Sequence, residues 1–224
     1  MTEQQATSRS DREINPILDH ELSVFVVDDD QDIRSSLIRA LSKRGLKVWA
    51  FDSARAFLEA YDGHEPGCLI LDHGMPEMTG LELQNHLNHQ DYPLEIIFIT
   101  GHGGVPESVQ AIKGGAVDFL EKPFRQSVLI ERIQTAFAQA RKRQKERQKS
   151  DIARARFERL TAREQEIADR IIRAPSESSS KEIGLYLGIS HRTVDHHRAR
   201  ILEKLEVKSV AELIALVQKT GDRD

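Results

Sequence analysis

The chain has 224 residues, 39% of them hydrophobic and 30% charged, which suits two ordinary domains and not a disordered polymer. No apolar run approaches the roughly 18 residues that a membrane span requires, and the polar first twenty residues lack the apolar core of a secretory signal. The net charge of −4 is uneven: residues 141–224 hold 20 Lys and Arg against 14 Asp and Glu, whereas residues 1–140 hold 12 against 22. An acidic half joined to a basic half suggests a cation-handling module attached to one that binds a polyanion.

Residues 1–21 are expected to form a mobile tail. Apolar, strand-like runs then alternate with helical patterns: SVFVV (23–27), KVWAF (47–51), CLILD (68–72), EIIFIT (95–100) and AVDFL (116–120). Ile33, Leu37, Ile38 and Leu41 recur at helical spacing, and Leu81, Leu83 and Leu87 do so less regularly. Such alternation predicts an α/β domain with a parallel, doubly wound sheet of the flavodoxin-like (βα)5 kind. Cys68, the one cysteine, opens a predicted buried strand, so it is read as a small hydrophobe and a reducing cytoplasm fits.

Four scattered positions fall at or just beyond the ends of these runs: Asp28-Asp29, Asp72, Thr100 and Lys122. In an open α/β sheet the carboxyl ends of the strands share one rim, where ligands bind at the topological switch point. Three carboxylates there suit a hard, oxygen-seeking cation such as Mg2+. A hydroxyl and an ammonium beside it suit phosphoryl oxygens. Asp30 is better placed to cap the first helix than to bind metal.

A fifth helix is predicted from about Gln126, with Leu129, Ile133 and Phe137 facing inward, and it runs into the basic stretch RKRQKERQKS (141–150). That stretch reads as a linker over 139–156; whether it is a solvated rod, a dimer coiled coil or a frayed end stays open. From Phe157 to about residue 221 every segment reads as helix. Thr161-Ala-Arg-Glu164 and Ser209-Val-Ala-Glu212 are capping boxes. Two helices, 180–187 and 191–205, are joined by the short turn Gly188-Ile189-Ser190, with Ser190 as cap; this describes a helix-turn-helix in an all-α tetrahelical domain.

With those motifs in place, residues 23 to about 138 resemble a response-regulator receiver, through VVDDD, LILDHGMPEMTG, FITGHG and DFLEKPF. Residues 157–220 resemble a LuxR-type helix-turn-helix, through LTAREQEI and KEIGLYLGISHRTVDHHRARILEKL. The pairing is similar to the FixJ/NarL group of two-component transcription factors. The resemblance implies a receiver over 22–138 and a DNA-binding domain over 157–221. It implies no enzyme in the ordinary sense, only Mg2+-dependent self-phosphorylation from a phosphohistidine donor and slow autodephosphorylation.

By that resemblance Asp72 is the phosphoacceptor, and Mg2+ is held by Asp29, Asp72 and the Gly74 carbonyl, with Asp28 acting through water. Lys122 precedes a cis proline and aims its ammonium at the acids. Thr100 and Phe119 are the switch pair, although plain core packing also accounts for Phe119. The face over Val105–Phe119 is the expected dimerisation surface after phosphorylation. A sensor histidine kinase and double-stranded promoter DNA are the implied partners, RNA polymerase is a further candidate, and no membrane is involved. His73-Gly74 departs from the pattern of such receivers, and His73 is read as a surface-loop histidine, with an imidazole near the metal as the alternative. A phosphohydrolase resembling the haloacid dehalogenases would place an acid where Gly74 stands.

In the recognition helix, Val194, Ile201, Leu202 and Leu205 form the inward stripe, and His191, Arg192, Asp195, His196, Ala199 and Arg200 face outward. Arg192, Arg198 and Arg200 are candidates for phosphate or guanine contacts, and Lys181, Thr193 and Lys208 for backbone phosphates. Asp195 either accepts a hydrogen bond from cytosine or is a first-turn acid favoured by the helix dipole. The three histidines, His191, His196 and His197, do not have zinc-ligand spacing.

Overall fold

The structure is a computed structural model that describes residues 22–101 and 104–220. The expected tail lies outside the described residues, as do His102 and Gly103 of the FITGHG motif. The chain divides into two compact units, one ending at Gln144 and the other beginning at Lys145.

The first unit alternates strand and helix: β1 (Ser23–Val27), α1 (Gln31–Ser42), β2 (Lys47–Phe51), α2 (Ala54–Ala60), β3 (Gly67–Asp72), α3 (Gly80–His89), β4 (Leu94–Thr100), α4 (Val105–Lys113) and β5 (Asp118–Glu121). The five strands are parallel in the order β2-β1-β3-β4-β5. This is the doubly wound arrangement expected, with the switch point at β1 and β3. The central strands β1, β3 and β4 are buried along their whole length, and for that reason they read as continuous apolar runs with no alternation. One face packs Val24, Val26, Cys68, Ile70, Ile97 and Ile99 against Leu37, Leu41, Leu129, Ile133 and Phe137. The other packs Phe25, Leu69, Leu71 and Phe98 against Phe57, Leu83, Leu87 and Ala111.

Helix starts follow local chemistry. Asp30 accepts from the amides of Asp32 and Ile33, as a cap should, and Thr79 with Glu82 closes a reciprocal capping box on α3. The last strand starts two residues later than the apolar run suggests, because Gly115, at φ +90°, and Ala116 still belong to the turn after α4. Ile38 is exposed on α1 and not part of its inward stripe.

Helix α5 (Gln126–Phe157) is 32 residues long and covers the basic stretch without a break. Its first half is a core helix through Leu129, Ile133, Phe137 and Ala140. Arg143 extends that attachment by pairing, at 3.4 Å, with Glu95 at the foot of β4. Glu95 is buried, and burial raises its carboxyl above the ordinary range against the pull of the arginine.

The second unit contains α6 (Ala162–Arg173), α7 (Ser180–Leu187), α8 (His191–Leu205) and α9 (Val210–Thr220), around Ile167, Ile171, Ile183, Val194, Ile201, Leu205 and Leu213. The serine-rich stretch before α7 holds a short 3-10 turn at Pro175–Glu177. Ser179 then forms a capping box with Glu182, so the helix begins sharply at Ser180. Gly188 ends α7 at φ +67°, a conformation glycine adopts without steric cost, and the turn to α8 follows from it. The box expected at Ser209–Glu212 forms by half. Ser209 accepts from Glu212, but the Glu212 carboxylate receives the amide of Lys208, not that of Ser209.

Candidate functional site

At the carboxyl rim of the sheet, β1 ends on Val27 and presents Asp28, while β3 ends on Asp72. Both acids are buried. The Lys122 ammonium, one residue beyond β5, bridges them at 2.7 Å to Asp28 Oδ2 and 2.7 Å to Asp72 Oδ1. The Lys122–Pro123 peptide is cis. The remaining oxygens accept backbone amides: Asp28 Oδ1 from Asp30 at 2.9 Å and Asp72 Oδ2 from Gly74 at 2.7 Å. Thr100 ends β4, buried one position beyond the residue that pairs with Asp72. The structure thus gathers Asp28, Asp72 and Lys122 in direct contact and sets Thr100 at the adjoining strand end.

Asp29 is exposed on the loop beside them and joins no such contact. Among the described residues no three His, Cys, Asp or Glu side chains surround one point. Charge is the better test of whether a cation fits. Burial pushes the Asp28 carboxyl above its usual range; Lys122 pulls it back in part, and neighbouring Asp72 pushes it further. Burial also works against the Lys122 ammonium, yet its bonds to both acids hold its pKa above the ordinary lysine value. One ammonium facing two buried carboxylates, with Asp29 next to them, leaves an excess of negative charge and hard oxygen donors. Those are the conditions a divalent cation satisfies.

One neighbour escaped the sequence reading, and a second sits differently from its expectation. Arg34, one turn into α1, donates from Nη1 to the Asp28 carbonyl at 2.7 Å and pins the start of the acidic loop. Its position in the helical pattern gave no sign of this. His73 stands on the loop after β3, as expected, but its ring packs inward. It is half-buried, with its ring 6.2 Å from Phe119 and 6.5 Å from Phe98, centroid to centroid.

Gly80, the first residue of α3, sets the loop after Asp72. A β-carbon there would lie 2.5 Å from the Asp72 carbonyl and 2.8 Å from the Phe98 ring. Gly80→Ala should therefore force this loop outward and lower receiver stability by about 1–3 kcal/mol, the usual range for overpacking. A urea titration followed through Trp49 fluorescence would measure it.

In the second unit, His191, Arg192, Thr193, Asp195, His196, Ala199 and Arg200 lie on the exposed side of α8, and Lys181 is exposed on α7. Val194, Ile201 and Leu205 are buried and Leu202 half-buried, as the stripe requires. Arg198 differs from the other arginines: its guanidinium donates to the Ser178 carbonyl at 2.6 Å and locks α8 to the segment before α7. Asp195 lies beyond the first turn of α8 and accepts from the Ser180 hydroxyl at 2.5 Å, which removes the first-turn dipole account. Thr193 shares a 2.7 Å hydroxyl contact with Ser190.

Below this surface, buried Glu164 caps α6 and receives Lys204 at 2.6 Å. Burial opposes its charge, but the Lys204 and Thr161 hydrogen bonds overcome that and lower its pKa to about 2. A folded-state value below the unfolded one adds stability that is present above about pH 4.5 and is lost as pH falls toward 2. The advantage of the native chain over Glu164→Gln should be about 2–3 kcal/mol at neutral pH and should vanish at the acid end. Hydrogen exchange of the α6 amides against pH would follow it.

The pairing of these two units is that of a DNA-binding signalling regulator. Residues 24–134 match the family model of the response regulator receiver domain, and residues 158–217 match that of bacterial regulatory proteins of the luxR family. The chain is 40% identical over 201 residues to the transcriptional regulatory protein TdiR of Thauera aromatica, spanning 88% of this chain and 86% of that one. It is 38% identical over 198 residues to the transcriptional regulatory protein FixJ of Bradyrhizobium diazoefficiens, spanning 88% and 95%. The solved structure of the response regulator StyR matches 89% of this chain and 99% of its own, at 40% identity and a TM-score of 0.73. The chain belongs to the two-component response regulators of the FixJ type, which join a receiver to a LuxR-type DNA-binding domain and so act in transcription regulation. A kinase and DNA are the partners this family implies. No described helix is long and apolar enough to cross a membrane.

Proposed function

We propose that a sensor histidine kinase phosphorylates this regulator on Asp72, and that the phosphorylated form dimerises and binds promoter DNA. The observation that carries the reading is the Lys122 ammonium bridging Asp28 and Asp72 at 2.7 Å each, on the rim where the strands end. Asp72 Oδ1 is the attacking atom in this reading: its bond to phosphorus forms as the P–N bond of the kinase phosphohistidine breaks and the histidine leaves. The attack places a phosphoryl group where Lys122 can shift from carboxylate to phosphoryl oxygen, following the new charge. Asp28, Asp29, Asp72 and the Gly74 carbonyl would hold Mg2+, which when bound neutralises the crowded acids and orients the acceptor.

Thr100 and Phe119 then carry the change to the α4–β5 face. Val105, Val109 and Ile112 are exposed there along one side of α4, an apolar stripe suited to a second copy. The domain limits proposed are 22–138 for the receiver, 139–156 for the linker and 157–221 for the DNA-binding domain. His191, Arg192, Asp195, His196, Ala199 and Arg200 are the base-facing candidates, with Lys181 and Thr193 on phosphates; Arg198 is the weaker candidate because of its bond to Ser178.

Incubation with radiolabelled acetyl phosphate and Mg2+ should label the protein once per chain, raise its mass in solution to that of a dimer and strengthen a promoter footprint. Asp72→Asn should take up no label and show neither response. Undiminished label on that variant would overturn the assignment.

A further inference from the structure

His73 lies between the proposed phosphoacceptor and the proposed switch aromatic. Its backbone is held on both sides: the amide donates to the Ile99 carbonyl at 3.0 Å, and the carbonyl accepts from Gly80 at 3.1 Å. The main chain that carries the ring is therefore fixed relative to β4 and α3. The ring closes a triangle with Phe98 and Phe119, whose own centroids are 5.9 Å apart. Phe98 is fully buried in β4, and it pairs in register with Phe119 of β5. Of the three rings only Phe119 has both partial exposure and a site on the edge strand. His73 Nδ1 is buried and makes no hydrogen bond among the described residues, and the ring contacts recorded for this side chain are those with Phe98 and Phe119.

We propose that His73 is a positioning residue for the switch: its ring, resting against Phe119, sets how readily that aromatic leaves its present place when Asp72 is phosphorylated. The inference rests on the switch reading of Thr100 and Phe119 given above. It adds a second route from the phosphoacceptor to Phe119, one residue long and independent of the Thr100 hydroxyl. A single aromatic contact is expected to shift a two-state population by about two- to tenfold. His73→Ala should raise the displaced fraction of Phe119 by that factor before any phosphorylation, and His73→Phe, which keeps a ring, should not.

The full-length chain carrying 4-fluorophenylalanine allows the test, with the Phe119 signal assigned by its loss in Phe119→Leu. Fluorine spectra are recorded with and without acetyl phosphate and Mg2+. The proposal requires the unphosphorylated His73→Ala signal to move toward the position of the phosphorylated native chain, with His73→Phe remaining at the unphosphorylated position. It fails if His73→Ala leaves the signal in place while the native chain responds normally, or if His73→Phe behaves like His73→Ala. A native signal indifferent to phosphorylation would instead overturn the switch reading itself, and the proposal with it.

Discussion

Lys122→Met should lower phosphorylation by acetyl phosphate about a hundredfold or more and destabilise the receiver by about 3–5 kcal/mol. The second effect follows from burial. Asp28 and Asp72 are buried, and the ammonium that compensates them touches both. Methionine fills the space of the lysine stem but leaves two like charges facing each other in a dry rim. Asp28, already held above its normal range by burial, must rise further. A raised carboxyl binds more protons folded than unfolded, so the variant should become more stable as pH falls from the folded value toward the unfolded one. Millimolar Mg2+ should also stabilise it more than the native chain, because the cation meets a larger unbalanced charge. Urea midpoints at several pH values, with and without Mg2+, check both points; equal Mg2+ shifts in the two proteins would count against a cation site at these acids.

Phe57→Ala should cost about 3–5 kcal/mol, the range for deleting a large buried ring. Phe57 is fully buried on α2, with its centroid 5.9 Å from Phe25, 5.4 Å from Phe51 and 5.2 Å from Tyr61. Two of the three partner rings come from strands, Phe25 of β1 and Phe51 of β2, and the third, Tyr61, follows α2 itself, so the cavity cannot be filled by moving one side chain. The loss should appear in the receiver transition by calorimetry, with the DNA-binding unit melting as before. A change under 1 kcal/mol would mean that the cluster repacks.

Phe57 also marks the limit of what the chain discloses by pattern. The central strands were legible because a strand buried on both faces must be apolar throughout, and the acids stood out because they end such runs. Helix α2 is only seven residues long and shows no sustained period, so neither it nor its ring cluster could be read. The same limit applies to His73. A histidine after a strand reads as loop surface, and only the geometry brings it against a phenylalanine 46 positions away. Arg198 shows the opposite limit: an arginine on a recognition helix reads as a DNA contact, and its bond to a carbonyl of its own chain leaves no mark in the sequence. A capping box was legible where the acid reaches back to the cap, at Thr161. The identical spacing at Ser179 went unread inside a serine-rich stretch.

Cys68 gives the molecule an internal clock. It is completely buried in β3, paired with Val24 of β1 and Glu95 of β4, and burial pushes its thiol well above the usual range. No reagent can reach it while the central strands stay together. As the single cysteine of the chain, its rate of alkylation counts openings of the receiver sheet, with no competing thiol to subtract. Run with and without a phosphoryl donor, that count would show whether phosphorylation tightens the strands that carry the proposed acceptor.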